Sequence, residues 1–115
     1  MTIATNVGQS KRNEMKLIVL MSLEQYRDKV RKVFENHKVH IYSEMEITGH
    51  TADTIRQYGW WVFEKPNVPI YSTLFFAVIA QDKADEIMND ITNLRDQFDP
   101  KHPPRAFQMD VEKMV

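Results

Sequence analysis

A chain of 115 residues, 27% of them charged and 43% apolar, has the size and balance of one globular domain with a modest core. Fifteen basic against sixteen acidic residues leave a formal charge of −1, so no global field draws nucleic acid or an anionic membrane surface. The absence of cysteine excludes a disulfide scaffold, a thiolate metal site and a cysteine nucleophile, and it fits a cytoplasmic protein.

Residues 1–14 (MTIATNVGQSKRNE) lack the apolar stretch of a secretory signal and read as a polar tail before a single domain over 15–115. No apolar run reaches the ~18 residues of a membrane span, so no membrane insertion is expected. Residues 15–21 (MKLIVLM) form a nearly unbroken apolar run of strand length, expected to be covered on at least one face. Ser22 and Gln25 have the spacing of a capping box and predict a helix start. Leu23, Tyr26, Val30, Val33 and Phe34 then supply an apolar stripe. Arg27, Lys29, Arg31 and Lys32 lie largely off that stripe and read as a solvated face. Residues 39–48 alternate strictly: Val39, Ile41, Ser43, Met45 and Ile47 share one side, and His40, Tyr42, Glu44, Glu46 and Thr48 the other. That period predicts a half-buried strand whose polar face meets solvent or another subunit.

The stretch 48–71 breaks the pattern. It holds Gly49, Gly59, Pro66, Pro69 and both tryptophans, with no sustained helical or strand period. Irregular stretches of this length are uncommon in compact domains and are usually functional or disordered. Trp60, Trp61, Val62 and Phe63 are expected to pack on the domain or a neighbour, or to serve as a partner hot spot. Residues 72–80 (STLFFAVIA) read as a second buried strand, with Asp82 as the N-cap of a helix whose stripe is Ala84, Ile87, Met88, Ile91, Leu94 and Phe98. Residues 105–115 alternate again, with Phe107 on the more apolar side. The order β-α-β, long loop, β-α-β predicts an α+β, ferredoxin-like βαββαβ fold: a four-stranded antiparallel sheet with both helices on one face. The face without helices calls for cover, and self-association supplies it most simply.

The segments MKLIVLMSLEQYRDKVRKVF, EMEITGH, STLFFAVIAQDKADEIMNDI and AFQMDVEKMV, in that order, resemble the P-II-like proteins, relatives of the nitrogen regulatory protein P-II. The resemblance covers residues 15–115. It implies a homotrimer whose sheets face one another around a threefold axis. It also implies that 48–71 is the T-loop, which changes shape with a ligand bound between subunits and docks on a target transporter, enzyme or regulator. Residues Arg56, Tyr58, Trp60, Trp61 and Phe63 are then the partner-binding candidates. Gly49, His50, Lys101, Arg105 and Lys113 are the ligand-binding candidates.

The chain departs from the family where phosphate is usually held. Members carry a glycine-rich loop after the second helix; here the place reads DPKHPPRAF, without glycine and with three prolines. Prolines remove the backbone N–H groups that cradle phosphate, so an adenine nucleotide would lack its usual phosphate loop. His50 and His102, with Glu44, Glu46 or Asp53, give an alternative metal reading, since the CutA metal-tolerance trimers have a related fold. No nucleophile elbow, phosphate loop or paired acid–base group points to an enzyme.

Overall fold

The computed structural model describes residues 14–50 and 70–115. The described chain runs β1 (Met15–Leu23), a 3-10 turn (Glu24–Tyr26), α1 (Arg27–Asn36), β2 (Ser43–Gly49), β3 (Ile70–Ala80), α2 (Gln81–Leu94), a second 3-10 turn (Arg95–Gln97) and β4 (Arg105–Asp110). The strands form one sheet in the order β2-β3-β1-β4 with every neighbour antiparallel. This is the α+β, ferredoxin-like arrangement expected from the alternating elements. Among the described residues no helix is long and apolar enough to cross a membrane.

The register decides what each face carries. β1 and β3 pair over nine positions, from Met15 opposite Ala80 to Leu23 opposite Ser72. Directly paired residues share a face, so the sheet is a set of cross-strand rows. On one face lie the rows Glu44–Phe75–Leu20–Ala106 and Ala77–Ile18–Gln108. Both helices pack here: Val30, Val33 and Phe34 of α1, with Ala84, Ile87 and Ile91 of α2, join Ile18, Leu20, Phe75, Ala77 and Ile79 in one buried cluster. Phe34 stacks on Tyr42 with ring centroids 4.7 Å apart and lies 6.0 Å from Phe75. Burial pushes the Tyr42 phenol up from its ordinary value, with the Glu44 carboxylate adding to the shift.

The opposite face carries Met45–Leu74–Met21–Arg105, Ser43–Phe76–Val19–Phe107 and Val78–Leu17–Met109. No described helix covers these rows, and Met45, Val78, Phe107 and Met109 are exposed. The covered face ends on charge at the row Ile79–Lys16–Asp110. Lys16 is only 8% exposed, and its ammonium is held by Asp110 and, at 3.4 Å, by Glu14. The hydrogen bond to Asp110 raises the lysine pKa against the opposing effect of burial.

Several local expectations are corrected by tertiary demands. Ser22 does not cap a helix: it is still in β1, opposite Thr73, and the turn after it begins without a side-chain cap. α2 begins one residue before Asp82, with Ala80 at the N-cap position, although Asp82 Oδ1 still accepts the Lys83 backbone N–H at 2.9 Å. β2 starts only at Ser43, leaving Ile41 88% exposed and Val39 in the core. The period of β2 is as expected, but its polar side, not its apolar side, faces the helices. On that side Tyr42 stacks on the core Phe34, and Arg31 Nε donates to Glu44 Oε1 at 3.0 Å. β4 ends at Asp110, short of the expected 115.

The delay before β2 comes from the end of α1. Lys38 has φ 59°, the left-handed region, while its N–H donates to Glu35 O and the Val39 N–H donates to Phe34 O. This is a Schellman closure with its usual apolar contact, here between buried Val39 and Phe34. His37 at the cap lies 3.2 Å from Glu86 and also contacts Asp90, so α2 fastens the same turn.

The link into β4 is fixed in a similar way. Asp99 Oδ1 accepts the Lys101 N–H at 2.9 Å, the Asp99 N–H donates to the Tyr26 hydroxyl at 2.9 Å, and His102 Nδ1 lies 3.5 Å from Asp99 Oδ2. The Lys101 N–H, then His102, hold the Asp99 carboxyl below the usual range.

Two predictions follow from these turns. Lys38→Gly relieves the left-handed strain and is expected to stabilise the fold by up to about 1 kcal/mol in urea unfolding; an unchanged midpoint rejects the strained-cap account. Asp99 has a folded pKa below its unfolded one, so its contribution is present above the unfolded value and fades as pH falls through the folded value. Asp99→Asn keeps an acceptor but removes the charge. Its melting temperature is expected to fall less than that of the native chain on acidification below about pH 4, and parallel curves would contradict this.

Candidate functional site

The ligand-binding residues taken from the sequence fall on a definite geometry. Gly49 closes β2 opposite Ile70, and β3 leaves that end opposite the last residues of β1. Arg105 opens β4 opposite Met21. Gly49 and Arg105 therefore lie at the same end of the sheet, but on its two outer strands. Three inter-strand steps separate these edges, about 14 Å at ordinary strand spacing. His50 follows Gly49 and is exposed; Lys101 lies in the link just before β4 and is also exposed. Lys113 does not join them. Asp110 pairs with Lys16 at the far end of β1, and Lys113 lies beyond it. One chain thus presents Gly49 and His50 on one edge and Lys101 and Arg105 on the other.

The metal candidates are likewise split between the edges. His102 is 6% exposed and lies against Asp99 within its own link. His50 is on the β2 side. Among the described residues no group of three metal-ligating side chains is arranged to hold an ion. Asp53 and the partner-binding candidates Arg56, Tyr58, Trp60, Trp61 and Phe63 lie outside the described residues.

The helix-bearing face contains a cleft that the sequence reading did not single out. It measures about 220 Å³ and is lined by Arg27 and Arg31 of α1, Glu44, Met45 and Glu46 of β2, and Thr73 of β3. Arg31 is tied by Glu44 and, through Nη1 at 3.1 Å, by Asp28. The hydrogen bond to Glu44 raises the guanidinium pKa further. A signal was present: Arg27 and Arg31 are four apart on a helix, and Glu44 and Glu46 two apart on a strand, so each pair shares a side. Only the tertiary packing sets the two pairs facing each other.

No protein-family model matches this chain, and no curated protein matches it by sequence. Solved structures do. A DUF3240 family protein from Shewanella baltica superposes with a TM-score of 0.62 at 11% identity, covering 89% of this chain and 94% of its own. CPII, a nitrogen regulatory PII-like protein from Thiomonas intermedia K12 solved with ADP, AMP and bicarbonate, gives a TM-score of 0.56 at 6% identity, covering 88% of this chain and 96% of its own. At these identities the likeness is one of fold. The four-stranded sheet with two helices is the fold this chain shares with a PII-like protein.

Proposed function

We propose that the chain is a P-II-like regulatory protein. Three copies close around their helix-free faces, a small ligand is held between adjacent copies, and the 48–71 stretch engages a target protein. The observation that carries this reading is the helix-free face, where the rows Phe76–Val19–Phe107 and Val78–Leu17–Met109 each run apolar across three strands. An apolar patch of that extent is unusual on a lone soluble chain and typical of an interface. The division of candidates adds support. Gly49 and His50 stand on one edge and Lys101 and Arg105 on the other, so a second copy can bring the two sets together. The number three comes from the family resemblance. The role is regulatory rather than catalytic, and a cytoplasmic location accords with the cysteine-free composition.

The ligand reading starts from the fold neighbour that holds ADP, AMP and bicarbonate. The 99–105 link of this chain has no glycine and three prolines, so it offers few backbone donors to a polyphosphate. A compact anion reached by Arg105 and Lys101 fits the available groups better than a nucleotide phosphate chain.

Mass measurement by light scattering is expected to give three times the 13.6 kDa of the chain. Val19→Glu, which buries a charge in the centre of the helix-free face, is expected to yield smaller species; a native chain that is already a monodisperse monomer rejects the assembly. In a thermal-shift panel of bicarbonate, AMP, ADP and divalent metals, bicarbonate is expected to stabilise the trimer, with the shift lost in Arg105→Ala. A metal response lost in His50→Ala would move the assignment to a metal-tolerance protein instead.

A further inference from the structure

The helix-covered core does not continue to the end of the sheet that carries Gly49. Beyond the row Glu44–Phe75–Leu20, the next row is Glu46–Thr73–Ser22. Ser22 and Thr73 are each 1% exposed, so two hydroxyls are buried where apolar side chains would otherwise extend the core. Ser22 Oγ has a long contact of 3.4 Å to Leu23 O. Thr73 Oγ1 has no hydrogen-bond partner, and it faces the cleft between α1 and β2. A buried hydroxyl without a partner is costly, and in a native protein it calls for an occupant.

The charges around that hydroxyl define the occupant. Arg31 and Glu44 pair with each other through Glu44 Oε1, with Asp28 taking a further guanidinium N–H. Arg27 and Glu46 are left over. The Arg27 Nε is buried without an acceptor, and no ion pair joins Arg27 to Glu46. A simple anion attracted by Arg27 meets the Glu46 carboxylate. A simple cation attracted by Glu46 meets the Arg27 guanidinium. A molecule carrying both charges satisfies both walls at once. The cleft, at about 220 Å³, falls below the range of drug-sized pockets, so the molecule is small.

We propose that this cleft is a binding site for a small zwitterion of the α-amino-acid class. Its carboxylate pairs with Arg27, its ammonium with Glu46, and Thr73 Oγ1 hydrogen-bonds to the carboxylate. The site lies within one chain and does not depend on self-association.

The test is a thermal-shift screen of the full chain against the standard amino acids one at a time, at low ionic strength, followed by calorimetry of those that respond. Acetate, methylammonium and inorganic phosphate serve as single-charge probes. At least one amino acid is expected to raise the melting temperature in a saturable way at millimolar concentration, while the single-charge probes do not. Arg27→Gln and Glu46→Gln are each expected to abolish the shift with an unchanged far-UV spectrum. Thr73→Val, which keeps the shape, is expected to weaken binding about five- to tenfold, the loss of one hydrogen bond. No response to any amino acid overturns the proposal, as does a phosphate response equal to the best amino acid. A response that survives both Arg27→Gln and Glu46→Gln overturns the placement.

Discussion

The structure depends on the pairing of β1 with β3. These are the two central strands, and their nine-position ladder fixes which side chains go under the helices. Side chains alternate with a period of two, so a slip of one residue would move Ile18 and Leu20 out of the core and put Leu17 and Val19 into it. Both sets are apolar, so hydrophobicity alone distinguishes them weakly. The polar rows settle the matter. Ser22 faces Thr73 and Lys16 faces Asp110 only in the observed register. The Lys16 side chain, largely covered, finds an exposed carboxylate at the end of β4 in this arrangement and in no shifted one. A lysine laid across the covered face without a carboxylate at its tip is less favourable than one with it, so this ion pair favours the observed register.

That pairing also explains what could be read in the sequence. The unbroken apolar runs of β1 and β3 announced strands because both their faces are apolar, and α2 announced itself through Ala84, Ile87 and Ile91, all of them buried. The signals that misled were local ones overridden by distant partners. Ser22 and Gln25 have capping-box spacing, yet the ladder to β3 holds Ser22 extended. The alternation of 39–48 was real in period, but its start and its sidedness were set elsewhere. Lys38 in the left-handed region shortened the strand, and lysine gives no warning of such a turn because its side chain carries no preference for it. The side of this stretch that carries Tyr42 and Glu44 meets Phe34 and Arg31 of the helix, partners that no window of 39–48 contains.

The candidate site was legible to a lesser degree for a related reason. Gly49, His50, Lys101 and Arg105 came from resemblance, and the register puts them at one end of the sheet on opposite edges, while Lys113 goes to the far end. Sequence spacing cannot supply that partition, since it follows from strand order. The Arg27–Glu46 cleft left only a faint signal for the opposite reason: its basic half looked like any solvated helix face. A guanidinium on a helix acquires meaning only from the strand it overhangs.

The net charge of −1 bears on how such a protein would recognise anything at all. With no long-range field to concentrate a charged ligand, selection has to come from charges placed within a few ångströms of it, where low local dielectric makes them count. The fold has the means to do so, because its charges are sorted by function. On the covered face, Lys16 with Asp110 and Arg31 with Glu44 are paired and hold strands and helix in place. Arg27 and Glu46 lie beside the second of these pairs without joining it. Two opposite charges could have collapsed onto each other as Arg31 and Glu44 did. That they stand apart, across a cleft floored by a buried hydroxyl, separates a surface that only folds from one that is also shaped to receive a molecule with both charges.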